Sequence, residues 1–352
     1  MKPSTSAVRI SASGRLQKWS IRQANKVDTT AQEADAAAFY GLGFDRVFPV
    51  SAEHSRGIGD LLDAIVSAAA GRSEAAPVEA REISVAVVGR PNVGKSSLVN
   101  RLVGSERAIV SEMPGTTRDA VDTVVERDGA RYRIIDTAGI RRKGKTEART
   151  EKVSVVVARK NLEAASVALL LIDAEEGVTK LDAAIGGYAH EAGCSVILVL
   201  NKWDRVEKNT HTIEEQTESV YRRMKYLSFA PIITLSALTG QRVEKLFGMI
   251  RQADEGRRVR VATGVLNNMF VPDIAEELAV HAPARRLDIR YVTQARVDPP
   301  VFVVFTGGSE RLHFSTERFV VNRLREKFGF YAAPIRIEQR TRKPKKRAVN
   351  RT

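Results

Sequence analysis

The sequence lacks the features expected of secreted or membrane proteins. Cys194 is the only cysteine in 352 residues, so no internal disulfide can form, which fits a reducing compartment. No run of 18 apolar residues occurs, and the N-terminus lacks the apolar core (h-region) of a signal peptide. The five histidines show no paired metal-ligand spacing. We therefore expect a cytoplasmic protein with no membrane span and no histidine-bound metal.

Acidic residues are also scarce relative to basic ones. The net charge is +14, which favours polyanionic partners such as RNA, DNA or an acidic membrane surface. Residues 262–352 hold 17 lysines and arginines against nine acids, a net +8. The last quarter of the chain thus carries more than half of the excess positive charge.

The chain divides into several regions. Residues 72–82, which contain Ser73, Ala75, Ala76 and Pro77, are predicted to form a linker. Strand-like apolar runs alternate with helical patterns from residue 83 to 256, which predicts an α/β domain with a doubly wound, mostly parallel sheet. The predicted strands are Ile83–Val88, Tyr132–Ile135, Val167–Ile172, Val196–Leu200 and Pro231–Leu235. Ligands of such sheets bind at the carboxyl ends of the strands.

The pattern changes near residue 260. A helix at 263–280, two strands, a helix and a last strand predict a small α+β domain over residues 257–340. Ser315 is the predicted N-cap of its second helix, and Gly329 follows the end of that helix. Residues 341–352 form a basic tail, with RTRKPKKR at 340–347. The tail is predicted to be disordered, and either nonspecific phosphate contact or simple solubilisation would explain its charge.

A glycine-rich motif directly follows the strand at 83–88. Gly89 to Ser96 reads G-x-x-x-x-G-K-S, with a predicted helix after it. The glycines allow backbone N–H groups to close around phosphate, and the helix dipole adds to that attraction. Lys95 is expected to reach the β- and γ-phosphates, and the Ser96 hydroxyl to bind Mg²⁺. The predicted nucleotide contacts of this loop are Gly89, Asn92, Val93, Gly94, Lys95, Ser96 and Ser97.

Three further motifs stand at the ends of later strands. The Asp136 carboxylate of D-T-A-G can hold Mg²⁺ through water. Asp204 of N-K-W-D can accept two hydrogen bonds from guanine, and adenine lacks that donor pair. Asn201 would brace the loop, and the S-A-L motif would offer backbone N–H groups to guanine O6. The predicted contacts are Asp136, Thr137, Ala138, Gly139, Asn201, Lys202, Asp204, Ser236, Ala237 and Leu238. This ordered set predicts GTP or GDP as the ligand, and no kinase motifs occur.

The residues around the γ-phosphate indicate an unusual hydrolytic site. Thr117 of P-G-T-T-R-D is favoured as the Mg²⁺ ligand that senses this phosphate, with Thr116 as the alternative. Ile140 stands where many GTPases have a glutamine that orients water. Another group must act instead, and Asn92 is the candidate for helping to hold a monovalent cation. G-x-P-N-x-G-K-S together with T-T-R-D resembles the potassium-activated GTPases, which implies that this cation is K⁺. The predicted catalytic residues are thus Lys95, Thr117 and Asn92. The basic run at 141–145 is either a solvated surface or a switch segment that contacts RNA.

The motifs together resemble the Der (EngA) ribosome-assembly GTPases. The matching segments are GRPNVGKSSLVNRL (89–102), PGTTRD (114–119), DTAGIRRKGK (136–145), NKWD (201–204), SAL (236–238) and LHFSTERFVVNRLREKFGF (312–330). The resemblance covers about residues 24–342. It implies a KH-like C-terminal domain and a role in maturation of the large ribosomal subunit through GTP-dependent rRNA binding. A monomer is expected. The C-terminal region has no GxxG loop of the kind that clamps nucleotides in ordinary KH domains.

The N-terminal region departs from that family. N-K-V-D at 25–28 and S-A-E at 51–53 are a second pair of guanine motifs, but no phosphate loop precedes them. Residues 24–71 are therefore interpreted as the remnant of a first GTPase domain, and Asp28 is not expected to bind guanine. Residues 1–23 are interpreted as an atypical segment, because the run at 17–23 is too polar for a central parallel strand. Residues 24–70 are expected to expose apolar surface.

Three other interpretations remain. The chain could be a tRNA-modification or small-subunit assembly GTPase, although its duplicated N-K-x-D favours Der. It could also be a binding module that uses GTP only as a conformational ligand, which Ile140 allows. A nonfunctional truncated product is the last alternative, and ribosome co-sedimentation with a GTP analogue separates it from the leading interpretation.

Overall fold

A computed structural model of the chain describes residues 4–9, 20–25, 47–51, 57–70, 82–104, 109–114, 121–137, 151–207, 209–281, 289–307 and 311–341. Within these ranges, no helix has the combined length and apolarity that crossing a membrane requires. The same residues contain no group of three or more His, Cys, Asp or Glu side chains that could hold a metal ion.

The described residues of the N-terminal region include a small sheet and a helix. Its elements are β1 (Ser4–Arg9), β2 (Ser20–Asn25), β3 (Val47–Val50) and α1 (Ile58–Ala70). β2 lies in the middle, antiparallel to β1 and parallel to β3, so the prediction that the run at 17–23 is too polar for such a strand is wrong for residues 20–23. A small sheet with an antiparallel partner can leave one face in water, which removes the need for a continuous apolar run. Leu62 and Val66 of α1 are exposed, as expected of this region.

The central domain is a seven-stranded sheet covered by helices on both faces. Its strands are β4 (Glu82–Val88), β5 (Ile109–Pro114), β6 (Val121–Arg127), β7 (Ala130–Ile134), β8 (Val167–Asp173), β9 (Ser195–Asn201) and β10 (Ile232–Thr234). They lie in the order β10-β9-β8-β4-β7-β6-β5. Every residue of β8 and β9 is buried, because a parallel strand between two helical layers has no solvent face. The predicted α/β domain is confirmed.

The two faces of this sheet carry separate apolar cores. The helices are α2 (Lys95–Val103), α3 (Glu151–Glu163), α4 (Lys180–Ala192), α5 (Thr212–Arg223) and α6 (Lys245–Arg257). One core contains Leu98 of α2 and Phe247 of α6, and the other contains Leu162 of α3 and Ile185 of α4. Each such buried side chain contributes about 1.5–3 kcal/mol of hydrophobic stabilisation. The sheet is therefore a rigid platform for the loops at its carboxyl edge.

The C-terminal domain has the predicted α-β-β-α-β order. A helical segment, Thr263–Val265, and a π-helical turn, Leu266–Phe270, lead into α7 (Val271–His281), β11 (Ile289–Arg296), β12 (Val301–Thr306), α8 (Phe314–Phe328) and β13 (Arg336–Thr341). Ser315 is not the N-cap of α8. His313 occupies that position with extended backbone, and its ring accepts the Ser315 N–H. Gly329 follows α8 as predicted, at φ 90°, and β13 extends one residue beyond the predicted domain boundary.

The C-terminal domain packs on the central sheet at the edge where β9 begins. The Val196 N–H donates to the Ala332 carbonyl at 2.9 Å, and Ala332 is part of the central domain's core. Arg257, at the end of α6, pairs with Asp298 at 2.6 Å between Nε and Oδ1. This edge is opposite the carboxyl ends of the strands, so these contacts of the C-terminal domain lie away from the nucleotide loops.

Candidate nucleotide-binding site

The loop between β4 and α2 has no room for larger side chains at its glycines. Gly94 has φ 96°, and a Cβ built there would lie 2.2 Å from Nδ2 of Asn201. At Gly89 a Cβ would lie 2.5 Å from the Leu171 carbonyl oxygen. Asn92 adopts φ 63°, a left-handed conformation that favours glycine or asparagine. The backbone thus makes a tight turn whose amides cluster before the N-terminus of α2, as phosphate binding requires.

Lys95 and its neighbours lie at the first turn of α2. Nζ of Lys95 donates to the carbonyls of Gly89 and Arg90, at 2.8 and 2.5 Å, which places the ammonium group at the loop. Val93 is buried in the core and anchors the loop's centre. Ser96 is half-buried and Ser97 exposed. A hydroxyl such as that of Ser96 is a ligand type that suits Mg²⁺.

Asn201 joins three loops through one buried amide group. Its Nδ2 donates to the Val93 carbonyl at 2.7 Å, and its Oδ1 accepts the Ala237 N–H at 2.9 Å. Only 2% of the residue is exposed. The phosphate loop, the N-K-W-D loop and the S-A-L loop are therefore held in contact, although more than 100 residues separate Val93 from Asn201.

The rest of the N-K-W-D loop is fixed by Lys202 and Trp203. Lys202 has φ 64°, and its Nζ lies 2.6 Å from Oδ2 of Asp173 at the end of β8. Burial would raise the pKa of Asp173, but the Lys202 ammonium and two backbone N–H groups outweigh it and lower that pKa. Trp203 is buried, and its backbone N–H donates to the Leu235 carbonyl at 3.1 Å. Asp204 is left exposed at the tip.

The S-A-L loop is held by hydrogen bonds to its own backbone, one from within the loop and one from α2. Oγ of Ser236 accepts the Thr239 N–H at 3.1 Å. Arg101 of α2 donates through Nη2 to the Leu238 carbonyl at 2.6 Å. The side chain of Leu238 is exposed, so its backbone, rather than its side chain, is the part that the loop holds in place.

Asp136 follows β7 on the other side of β4. Its backbone turns at φ 54°, and its N–H donates to Oδ1 of Asp122 at 2.9 Å. Nδ2 of Asn161 lies 3.5 Å from Oδ2 of Asp136. The buried hydroxyls of Thr137 and Thr123 are 2.8 Å apart. These contacts tie the start of the D-T-A-G segment to β6.

Several predicted site residues lie outside the described residues. They are Thr116, Thr117, Ala138, Gly139, Ile140 and the basic run 141–145. The structure also shows partners that the motifs did not reveal, among them Asp173, Asp122 and Arg101. Asp173 could have been found from its position at the end of an apolar strand, the same signal that marked Asp136. Arg101 carries no such signal, since its role depends on the three-dimensional contact with the S-A-L loop.

The sheet order and the loops at its carboxyl edge define the class of protein: this is a P-loop GTPase fold followed by a KH-like domain. Residues 84–202 match the family described as 50S ribosome-binding GTPase, and residues 260–340 match the KH-domain-like C-terminal region of EngA bacterial GTPase enzymes.

The chain belongs to the Der family of GTPases. It is 49% identical over 322 residues to GTPase Der of Geobacter sp., which covers 91% of this chain and 73% of that protein. It is 45% identical over 324 residues to GTPase Der of Acetivibrio thermocellus, which covers 92% of this chain and 73% of that protein. Family membership implies binding of GTP or GDP with Mg²⁺ and hydrolysis of GTP.

Solved structures give a weaker likeness. A variant of Aquifex aeolicus Era bound to GDP and AlF4⁻ is 22% identical, with 74% of this chain and 93% of that chain covered and a TM-score of 0.37. The G domain of the T. maritima FeoB iron transporter is 22% identical, with 49% and 98% covered and a TM-score of 0.34. Scores this low carry no argument about function.

Proposed function

We propose that this chain binds and hydrolyses GTP at the site within residues 83–256 and acts in maturation of the large ribosomal subunit. The observation that carries the proposal is the Asn201 bridge, because it brings the phosphate, base and S-A-L loops into one site. The net charge of +14 supports association with rRNA; its dependence on GTP is part of the proposal. We further propose that the protein acts as a monomer in the cytoplasm, where ribosomes are assembled.

Each predicted residue has a role in this proposal. Lys95 and the loop amides neutralise the β- and γ-phosphates, which is the main requirement for phosphoryl transfer. Asp204 reads the guanine edge, and the backbone of 236–238 meets O6. Ser96, Asp136 and Thr117 supply oxygen atoms of the kind that bind Mg²⁺. When bound, Mg²⁺ would neutralise charge on the phosphate oxygens.

We also propose that hydrolysis is stimulated by K⁺. Asn92 lies exposed at the turn of the phosphate loop with φ 63°, where its amide oxygen can help to bind a monovalent cation. A cation there would stabilise the charge that develops in the transition state, a task for which Ile140 is unsuited. The domain boundaries are proposed as predicted, with residues 24–71 as part of a first GTPase domain.

Nucleotide turnover by the full chain tests the enzymatic part. GTP, but not ATP, should be hydrolysed, and the rate should be higher in KCl than in NaCl. Asp204→Asn should shift preference from GTP to xanthosine triphosphate, because the amide can donate to the xanthine carbonyl. Glu207→Gln, an exposed neighbour in the same loop, is the control and should behave as wild type. Equal rates with the two salts would contradict the K⁺ proposal.

The same assay separates the second candidate function. GTP binding without turnover would favour a switch that uses GTP only as a conformational ligand, for which Ile140 is the supporting observation. Absence of any guanine-nucleotide binding would overturn both functions.

Co-sedimentation tests the ribosomal part. With a non-hydrolysable GTP analogue the chain should sediment with large subunits and be released when GDP replaces the analogue. Small subunits are the matched control. Equal binding to both subunits, or binding that ignores the nucleotide, would contradict the proposed role.

A further inference from the structure

The loop that follows β8 lies between the phosphate loop and the N-K-W-D loop. β8 pairs with β4 on one side and with β9 on the other, so its carboxyl end is next to both. This loop and the first turn of α4, residues 173–182, read DAEEGVTKLD; we name them the acidic segment. None of the five motif loops includes it. Its carboxylates contact basic side chains in both neighbouring loops.

One arm of the acidic segment, formed by Asp173 and Ala174, contacts the N-K-W-D loop. Asp173, with 2% of its side chain exposed, pairs with Lys202 at 2.6 Å. The next residue, Ala174, donates its N–H to the Asn201 carbonyl at 2.9 Å. Since the pKa of Asp173 is lowered, its carboxylate stays ionised at neutral pH. This charge fixes Lys202, whose left-handed backbone turns the chain toward Asp204.

The other arm reaches the phosphate loop. Glu176 Oε2 lies 2.7 Å from Nη1 of Arg90, and Asp182 Oδ2 lies 3.5 Å from Nε of the same guanidinium. Asp182 is fully buried and is held by the capping box that it forms with Thr179. The backbone carbonyl of Arg90 accepts a hydrogen bond from Lys95. A side-chain tether on Arg90 therefore fixes one of the carbonyls that position the Lys95 ammonium.

We propose that the acidic segment positions the two loops separately: Asp173 acts through Lys202 on base recognition, and Glu176 and Asp182 act through Arg90 on phosphate recognition. This inference rests on the proposed function. The buried carboxylates of Asp173 and Asp182 hold their partners more firmly than Glu176, whose side chain is 57% exposed, because water screens them less. None of the predicted nucleotide contacts lies in the segment, so its carboxylates are assigned as positioning residues.

Two selectivity ratios distinguish the arms. Inosine diphosphate (IDP) lacks the guanine N2 amine, so the preference for GDP over IDP measures base recognition. GMP lacks the β-phosphate, so the preference for GDP over GMP measures phosphate recognition. Both ratios can be obtained with the full chain by competition against a fluorescent GDP analogue. GDP binding by the wild type tests the proposed function itself.

Asp173→Asn should lower the GDP-over-IDP ratio about tenfold, as expected for weakening one hydrogen bond to a charged group, and leave GDP-over-GMP unchanged. Arg90→Gln should lower the GDP-over-GMP ratio and leave the GDP-over-IDP ratio unchanged. Glu175→Gln is the matched control, because the partner of its side chain is Arg205, 3.9 Å away, rather than Lys202 or Arg90. It should alter neither ratio.

A residue with a merely structural role would, when substituted, lower both selectivity ratios together or neither of them. Either result for Asp173→Asn would contradict its role in base recognition, and either result for Arg90→Gln would contradict its role in phosphate recognition. If Asp173→Asn fails to fold, Lys202→Gln removes the same ion pair from its more exposed side and should lower the same ratio. Where both fold, the double variant should show no greater loss than either single variant, because the two residues act as one unit. Additive losses would overturn the assignment of Asp173.

Discussion

The amide group of Asn201 shows how one side chain can satisfy two backbone groups from different loops. Its partners, the Val93 carbonyl and the Ala237 N–H, are buried with it. Gly94 lies so close to this amide that a methyl group would collide with Nδ2. The size of residue 94 and the chemistry of residue 201 therefore depend on each other.

Asn201→Ala should cost both stability and nucleotide affinity. The substitution leaves a buried acceptor and a buried donor unsatisfied, and each such group costs about 1–3 kcal/mol. The free energy of unfolding, measured with urea, should fall by at least that amount, and GDP should bind more than about tenfold more weakly. Asn100→Ala on the exposed side of α2 is the control, expected within about 0.5 kcal/mol of wild type. Wild-type GDP affinity in Asn201→Ala would contradict the bridging role.

The sequence predicted the bracing role of Asn201 but neither of its partners. A motif at the end of a strand tells which loops meet at the sheet edge, because parallel strands end on the same side. It does not tell which atoms touch. Arg90 escaped prediction for the same reason, since its pairing with the acidic segment depends on side-chain direction. The position of Asp173 at the end of an apolar strand could have marked it as a candidate, but not its pairing with Lys202.

At the level of elements, burial decided which strands the sequence could reveal. β4, β8 and β9 are central, and their largely apolar runs predicted the strand ends to within one residue. β5 and β6 went unpredicted because they form the antiparallel end of the sheet, where polar residues alternate with apolar ones. β2 was misjudged by applying the rule for a large parallel sheet to a three-stranded one.

Helix α6 offers a matched pair of glycines that tests domain packing. A Cβ at Gly256 would lie 2.4 Å from the Tyr331 carbonyl oxygen of the C-terminal domain, whereas one at Gly248 would meet nothing within 4 Å. Gly256→Ala should therefore lower the Tm, because backbone cannot move aside as a flexible side chain can. Gly248→Ala should raise stability by about 0.5–1 kcal/mol, since alanine favours an exposed helix interior. A higher Tm in both variants would show that the two domains do not pack closely at Gly256.

On the scale of the whole molecule, the C-terminal domain is joined to the central domain by charges and aromatic rings as well as by backbone. Arg325 of α8 lies over the Phe229 ring at 4.4 Å, and burial lowers its pKa to about 10. Arg336 of β13 donates to the Glu191 carbonyl of α4. These contacts leave the loops at the carboxyl edge of the sheet free to meet nucleotide, while the basic domain is held at the opposite edge.

His190 makes this packing sensitive to acid. It is half-buried on α4, with Tyr226 and Phe229 against its ring. Burial lowers its pKa, the positive charges of Arg336 and Arg325 lower it further, and Glu191 opposes them. The unfolded chain, in which a histidine has a pKa of about 6.5, then binds a proton more readily than the folded chain. Stability from the neutral ring is complete above that pH and is lost as the pH falls through it toward the lower folded value.

His190→Gln should consequently flatten the pH dependence of folding. Urea unfolding between pH 7.5 and pH 5 should show a smaller loss of stability in this variant than in the wild type, because glutamine takes up no proton over that interval. His211→Gln, whose native side chain is 71% exposed, is the matched control and should keep the wild-type slope. The same slope in His190→Gln would mean that other groups, and not the ring between the two domains, govern the response to acid.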